Sequence, residues 1–331
     1  MGDATARVNC ILHNSHSQLG EDLVLWPTLL LNSGAHRPIF IELGAFDGVT
    51  YSNSLLLERC FGFHGLLIES NPTNFAKLNH SGRAAALEHS AVCEGTPGTV
   101  RVLAAPAAGN GEVGLGCTGS CYARSKVVGF AAAKAQLAGR AEVMTSVEVP
   151  CRSLTAMIEQ HLGRARAREP GAVAFLSLDV QGAELKVLRA VDPAVFGLVM
   201  VELDGTDAAK DEAVRGVLRA AGLLPQPAAL FVPESEVWVR PELRVVPVPI
   251  PSVRRGRGHT KCGRDAWLFE RNGCRFTMPP QRIAELLANV TEAAGPKSWV
   301  SRLAPSRPPG TRRHCASASA SASARGAGGD A

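Results

Sequence analysis

The sequence predicts an α/β fold: a mostly parallel sheet with helices on both faces and a late antiparallel strand pair. Three observations predict it. Short continuous apolar runs recur at 39–43, 66–68, 173–178 and 198–203, as in strands buried on both faces. Segments with apolar residues at helical spacing lie between them, the order expected of a parallel sheet. Near the end, runs at 228–232, 243–248 and 266–269 follow one another without a helix between them, which suits an antiparallel edge.

Taken in order, Ile39-Phe40-Ile41-Glu42-Leu43 reads as a buried strand that runs into a Gly-rich turn. A helix over 52–60 follows, with Ser52 as its cap. Leu66-Leu67-Ile68 is the second strand, closed by Glu69. Pro72 suits the first turn of the next helix, which continues through Phe75 and Leu78. The third strand falls within 84–92. Two further strands, at 173–178 and 198–203, enclose a helix over 182–190, and another helix covers 207–221. Residues 1–36 form a helical lead-in and 37–300 the main domain. Residues 104–146 are rich in Gly and Ala and too long for a simple connection, so they read as a lid or insertion. The Pro/Arg segment and the Ala-Ser repeat within 305–331 cannot bury a core and read as a disordered basic tail.

Composition narrows the class. The 331 residues are 46% hydrophobic and 20% charged, enough for one sizeable core. No apolar run reaches the roughly 18 residues of a membrane span. Residues 1–15 lack the pattern of a secretory signal, and Ala6 breaks the myristoylation pattern that Gly2 would open. A cytoplasmic location is the expectation. The net charge of +5 is uneven: residues 251–331 hold 14 Lys+Arg against 5 Asp+Glu, the other 250 hold 21 against 25. A basic tail can touch nucleic acid or anionic lipid, but a solvated tail with no specific nucleic-acid partner is expected. Nine scattered cysteines show no paired C-x2-C spacing of a zinc site and read as reduced structural thiols. Asn79-His80-Ser81 and Asn289-Val290-Thr291 match the glycosylation pattern and, without an entry signal, read as chance matches.

The chemistry concentrates at strand ends. In Glu42-Leu43-Gly44-Ala45-Phe46-Asp47-Gly48, Gly44 permits a sharp turn and close approach of a ligand, and the following helix offers free N–H groups. Two carboxylates there suit a cationic ligand better than a pyrophosphate. S-adenosylmethionine, with its sulfonium and ammonium, is such a ligand. The dinucleotide fingerprint needs G-x-G-x-x-G, and Phe46 replaces its second glycine. Glu69 ends the next strand, where an acid can accept ribose hydroxyls, and Ser70 and Asn71 can bond to the nucleoside. Asp179 ends a third strand in Leu178-Asp179-Val180-Gln181-Gly182-Ala183-Glu184. Glu184 stands in the first turn of the following helix, where the dipole favours an acid in any case. Acids at three strand ends converge on one rim, where open α/β sheets bind ligands.

These stretches, with Ser17-Gln18-Leu19-Gly20-Glu21-Asp22, Val49-Thr50-Tyr51-Ser52-Asn53 and Leu67-Ile68-Glu69-Ser70-Asn71-Pro72, resemble the FkbM methyltransferase family over residues 17 to about 270. Gln181 stands where the family usually has Glu, and Ser70 where it often has Pro. The resemblance implies a class I methyltransferase (Rossmann-like) fold and S-adenosylmethionine as cofactor. It implies that Glu42, Gly44 and Asp47, with Gly48 and Asn53 of the same motif, hold the methionine part. Glu69, Ser70 and Asn71 would hold the ribose side, Ala91 and Val92 would lie by the adenine, and Asp179 near the reacting centre. The implied reaction is O-methylation of a hydroxyl on a sugar or natural-product-like small molecule, with that molecule or a glycan as the partner.

Such a transfer needs the acceptor oxygen held in line with the methyl group and its proton removed. Asp179 is the first candidate base, with Glu184 as a second catalytic candidate and His259, in a Gly/Arg loop, as a distant one. No second ligand pattern asks for a metal beside Asp179. A nicotinamide-dependent oxidoreductase and a non-catalytic cofactor-binding module are the alternatives. The missing glycine and the acidic first loop speak against the former.

Overall fold

The structure is a computed structural model. It describes residues 2–95, 97–104, 116–118, 145–203, 205, 207–227, 230, 232, 235–248, 266–268, 274–276 and 278–303. Its helices are α1 (Gly2–Asn14), α2 (Glu21–Leu31), α3 (Leu55–Phe61), α4 (Pro72–Leu78), α5 (Leu154–Leu162), α6 (Glu184–Arg189), α7 (Ala208–Ala220) and α8 (Pro280–Ala294). Its strands are β1 (Ile39–Leu43), β2 (His64–Glu69), β3 (Ala86–His89), β4 (Ala91–Val92), β5 (Gly98–Ala104), β6 (Gly116–Thr118), β7 (Thr145–Arg152), β8 (Val173–Leu178), β9 (Phe196–Glu202), β10 (Leu224–Pro225), β11 (Ser235–Val239), β12 (Ala266–Leu268) and β13 (Cys274–Phe276).

The main sheet has seven strands in the order β10-β11-β9-β8-β1-β2-β3. β3, β2, β1, β8 and β9 are parallel; β11 pairs antiparallel with β9 and β10 antiparallel with β11, so β10 again runs in the direction of the five. This is the expected class I methyltransferase architecture, with the late antiparallel strands at one edge. The strand order reverses between β1 and β8. The alternation of side chains along each strand divides the core. Ile39, Ile41 and Leu43 join α5, α6 and α7 in one cluster. Phe40, with Leu67 and Phe175, joins α1, α2, α3 and α8 in the other. A second, four-stranded sheet, β4-β7-β5-β6, follows β3.

Several expectations change. The helix expected over 52–60 begins at Leu55, and the Ser52 hydroxyl serves its start as a cap does, accepting from Ser54 N and Leu55 N while it donates to Glu42. The third strand is divided at Ser90 into β3 and β4, which belong to different sheets. The antiparallel strand beside β9 is Ser235–Val239, not 243–248. Pro247, in that segment, has no N–H to give a ladder. The segment instead bonds to the side chains of α2, with Val246 N donating to Thr28 Oγ1 at 2.9 Å and Arg244 N to Asn32 Oδ1 at 3.0 Å. Of 228–232, Leu230 sits in a bend and Val232 forms an isolated bridge with Ser235.

The reading of the thiols as reduced is also corrected. Cys10 on α1 is disulfide-bonded to Cys60 on α3, and Cys93 to Cys151 on β7. These partners stand 50 and 58 residues apart, so local spacing does not reveal them. Most of the lid or insertion expected at 104–146, the tail at 305–331 and His259 lie outside the described residues. Among the described residues, no helix is long and apolar enough to cross a membrane.

Candidate functional site

Four carboxylates gather at the carboxyl ends of neighbouring parallel strands. Glu42 is on β1, Glu69 ends β2, Glu202 ends β9, and Asp179 directly follows β8. Parallel strands all release their chains at one edge of the sheet. The crevice forms where the strand order reverses, here between β1 and β8.

Gly44 fixes how closely the two central strands approach. Its φ is +79°, and a Cβ there would stand 1.9 Å from the carbonyl oxygen of Asp179. Asp179 N donates to Leu43 O at 3.2 Å, and the amides of Gly44 and Ala45 both reach Ile68 O. The glycine that the sequence assigned to ligand approach is therefore demanded by a contact inside the protein.

The loop after β1 is fastened from within. Asp47 accepts from the amides of Val49 and Thr50 and from the Thr50 hydroxyl, at 2.7–2.8 Å. Gly48 also has a positive φ, and a Cβ there would meet Leu78 Cδ1 at 2.5 Å. Phe46 and Tyr51 have φ of 57° and 62°, rare for residues with side chains, and their rings stack with centroids 6.3 Å apart. Tyr51 also bridges to Ser17. Ser17 belongs to the segment that Asp22 gathers, accepting from the hydroxyls of Ser15 and Ser17 and from His16 N.

Glu42 is buried and accepts three bonds, from Ser52 Oγ, Ser54 Oγ and Asn53 N. A carboxylate offers about four acceptor positions. Glu42 thus primarily holds the segment that carries Asn53. The Asn53 amide nitrogen donates to Ser177 Oγ on β8 at 3.1 Å. Its Oδ1 is buried and meets no hydrogen-bond donor among the described residues. A buried carbonyl in this state is costly unless a ligand supplies a donor.

Behind this segment lies Arg83, which the sequence gave no reason to single out. Its buried guanidinium bonds to Glu58, Gly48 O, Ser52 Oγ and Ser54 Oγ. Glu58 in turn accepts from the amides of Ala84 and Ala85.

Glu69 joins two loops. It accepts from Phe46 N at 2.8 Å and from Asn71 N at 2.7 Å. Burial pushes its pKa up to about 7, against the opposing pull of these backbone bonds. Ser70 is half-buried. Asn71 is buried and caps α4, accepting from Thr73 N and Asn74 N. Ala91 packs with Val102, Val149 and Cys151 in the core of the second sheet, and Val92 packs against the core of the main sheet.

On the other side of the crevice, the Gln181 side-chain amide donates to Asp179 Oδ1 at 2.7 Å and to Glu202 Oε2 at 2.8 Å. Gln181 too has a positive φ, 51°. Glu202 is absent from the sequence-based set of candidates, although it closes an apolar strand just as Glu69 and Asp179 do. Glu184 is almost fully buried, accepts from Gly182 N and pairs with Lys210 Nζ at 2.8 Å. That is the geometry of the helix-terminus acid. Among the described residues, no group of three or more His, Cys, Asp or Glu side chains is arranged to hold a metal ion.

The sequence profile of the methyltransferase FkbM domain matches residues 35–222, more than half of the chain. The matched span contains every element of the crevice from β1 to β9, together with α7. A search of curated proteins returned no match. On the strength of the profile match, this chain belongs to the FkbM methyltransferase family.

Proposed function

We propose that the protein transfers a methyl group from S-adenosylmethionine to a hydroxyl oxygen of a sugar or natural-product-like small molecule. The observation that carries the cofactor assignment is Asn53 Oδ1, a buried acceptor at the crevice without a donor among the described residues. An ammonium group offers three donors and a positive charge, and Glu42, which holds the segment of Asn53, keeps one acceptor position. A pyrophosphate would bring acceptors and negative charge to a rim that already carries four carboxylates. When bound, the cofactor supplies an electrophilic methyl group on a positively charged sulfur.

The residues of the chain divide the remaining work. Glu69, whose carboxylate clasps the amides of Phe46 and Asn71 and is bonded by the Asn74 side chain and the Ser70 backbone as well, exchanges one of these bonds for the ribose hydroxyls. Gly44, Asp47 and Gly48 hold the loop in shape. Ser70, Asn71, Ala91 and Val92 bound the nucleoside side of the pocket. Asp179 takes the proton of the acceptor hydroxyl as its oxygen attacks, and Gln181 holds the base in position by bonding to Asp179 Oδ1. Glu184 anchors α6 through Lys210 and stays outside the reaction.

The test is calorimetric titration of the purified chain with S-adenosylmethionine and, separately, with NAD. It is followed by transfer of a labelled methyl group to a panel of sugars and polyketide alcohols. Binding of the former alone, with label recovered in an alkali-stable methyl ether, supports the assignment. Tight binding of NAD, or label recovered only on nitrogen or carboxylate acceptors, overturns it.

A further inference from the structure

Asn79-His80-Ser81 and Asn289-Val290-Thr291 match the acceptor pattern for N-linked glycans, and both asparagines are exposed. A third stretch, Asn71-Pro72-Thr73, is excluded by its proline, and Asn71 is buried. The first match has the better local geometry. Asn79 stands at the end of α4, its N–H donating to Phe75 O at 2.9 Å. The turn is held from both sides. Leu78 is buried in the core, while Ser81 Oγ stands 3.0 Å from where a Gly48 Cβ would be and accepts from Arg83 N. Gly82, at a φ of +70°, carries the chain onward with nothing within 4 Å of where its side chain would begin.

Asn79 and His80 thus face solvent from a fixed turn, as a bulky, solvated glycan requires. Asn289 lies instead in the middle of α8, where Thr291 Oγ1 donates to Leu287 O at 2.7 Å. That hydroxyl is committed to its own helix. The disulfides supply what the pattern alone lacks. Cys10–Cys60 and Cys93–Cys151 join residues 50 and 58 apart, and such bonds form and persist where the surroundings are oxidising. N-linked glycans are attached to chains that enter a compartment of that kind.

We propose that the chain folds in an oxidising secretory compartment and carries an N-linked glycan on Asn79. The co-reactant is an oligosaccharide held on a lipid pyrophosphate, and a transferase of that compartment catalyses the step. Asn79 Nδ2 forms a bond to the anomeric carbon of the sugar, and the bond from that carbon to the pyrophosphate oxygen breaks. The amide nitrogen gives up one proton, and the lipid pyrophosphate leaves with the bonding pair. The modification stands independently of the methyl donor and acceptor proposed for the crevice.

The experiment takes the whole protein from the cells that make it, treats a portion with a peptide N-glycosidase, and maps the peptides by mass spectrometry. That enzyme leaves aspartate where it removes a glycan from asparagine. The treated protein should run faster on a denaturing gel, and residue 79 should be recovered as aspartate only after treatment. Asn79→Gln and Ser81→Ala, produced in the same cells, should reduce the gel shift, and Ser81→Thr, which keeps the hydroxyl, should retain it. A residue 79 that is wholly unmodified overturns the proposal. So does a shift that Asn79→Gln leaves unchanged, which would put the glycan on Asn289. Should a variant fail to accumulate, the peptide map of the unaltered protein decides alone.

Discussion

The carbonyl oxygen of Asp179 occupies the place where a side chain on Gly44 would begin, 1.9 Å from the position of its Cβ. The first turn of the crevice and its candidate base are therefore set by one backbone contact.

Gly44→Ala should disturb both at once. The added methyl must push the Asp179 carbonyl away, and alanine is strained at a φ of +79°, a cost of about 1–3 kcal/mol before any repacking. Thermal unfolding should show a midpoint several degrees lower, and calorimetry should show S-adenosylmethionine affinity reduced by at least about tenfold. A variant with wild-type affinity would mean that the turn does not shape the cofactor site.

The buried acid Glu69 predicts a pH dependence with a definite sign. Burial raises its pKa from 4.5 to about 7, and Glu21 is raised to about 7 by the same cause. The folded state thus binds protons that the unfolded chain releases, so their contribution to stability is complete below about pH 4.5 and fades as pH rises through 7. The unfolding midpoint of the free protein should fall between pH 5 and 7.5. In the proposed complex the ribose hydroxyls donate to the ionised form, so the stabilisation given by S-adenosylmethionine should grow over the same interval. Scanning fluorimetry at constant ionic strength checks both. A flat midpoint would refute the burial argument.

Arg83 predicts a large loss of stability at a distance from the crevice surface. Arg83→Met would leave Glu58, only 9% exposed, as a buried carboxylate without its cation, a change that typically costs about 3–5 kcal/mol. The hydroxyls of Ser52 and Ser54 would also lose a partner each. Denaturant unfolding measures the cost. A loss under about 1 kcal/mol would mean that solvent reaches Glu58 freely.

The difference between Glu69 and Arg83 explains what the sequence made legible. Glu69 and Asp179 end continuous apolar runs, so strand periodicity alone puts them on one edge. Glu202 obeys the same rule and could have been found by it. Arg83 follows no such rule: its meaning comes from Gly48, Ser52, Ser54 and Glu58, which only the folded chain brings around it. Ser52 carries both kinds of information: its hydroxyl accepts from Leu55 N, as the chemistry of a cap suggests, and donates to Glu42, which only the folded chain brings to it. Asn71 shows the converse. Its position suggested a ligand contact, and its side-chain oxygen caps α4.

The two disulfides predict sensitivity to reduction. Closing loops of 50 and 58 residues removes chain entropy worth up to about 4 kcal/mol each. Dithiothreitol should lower the unfolding midpoint, and Cys10→Ser should reproduce part of that fall. Intact mass after alkylation should rise by at least four more adducts once the protein is reduced under denaturing conditions. Full alkylation without reductant would remove both bonds. Disulfides persist in oxidising surroundings, so these cysteines do not support the cytoplasmic expectation.

Gln181 offers the sharpest test of how the proposed base, Asp179, is held. Its amide lies between two carboxylates, donating to Asp179 and Glu202, and so relieves their mutual repulsion while orienting Asp179. Gln181→Glu would place a third negative charge there and take the donor away. A like charge at this distance raises the pKa of a neighbouring acid, so the acidic limb of the kcat profile should move to higher pH. Gln181→Met removes the donor without adding charge. It should lower kcat by about tenfold or more while the profile moves less. Neither change should alter the Kd for S-adenosylmethionine by more than about threefold, because Gln181 lies across the crevice from Asn53 and Glu69. If both variants instead lost cofactor binding with an unmoved pH profile, Gln181 would be part of the cofactor pocket, and the proton would have to leave by another group.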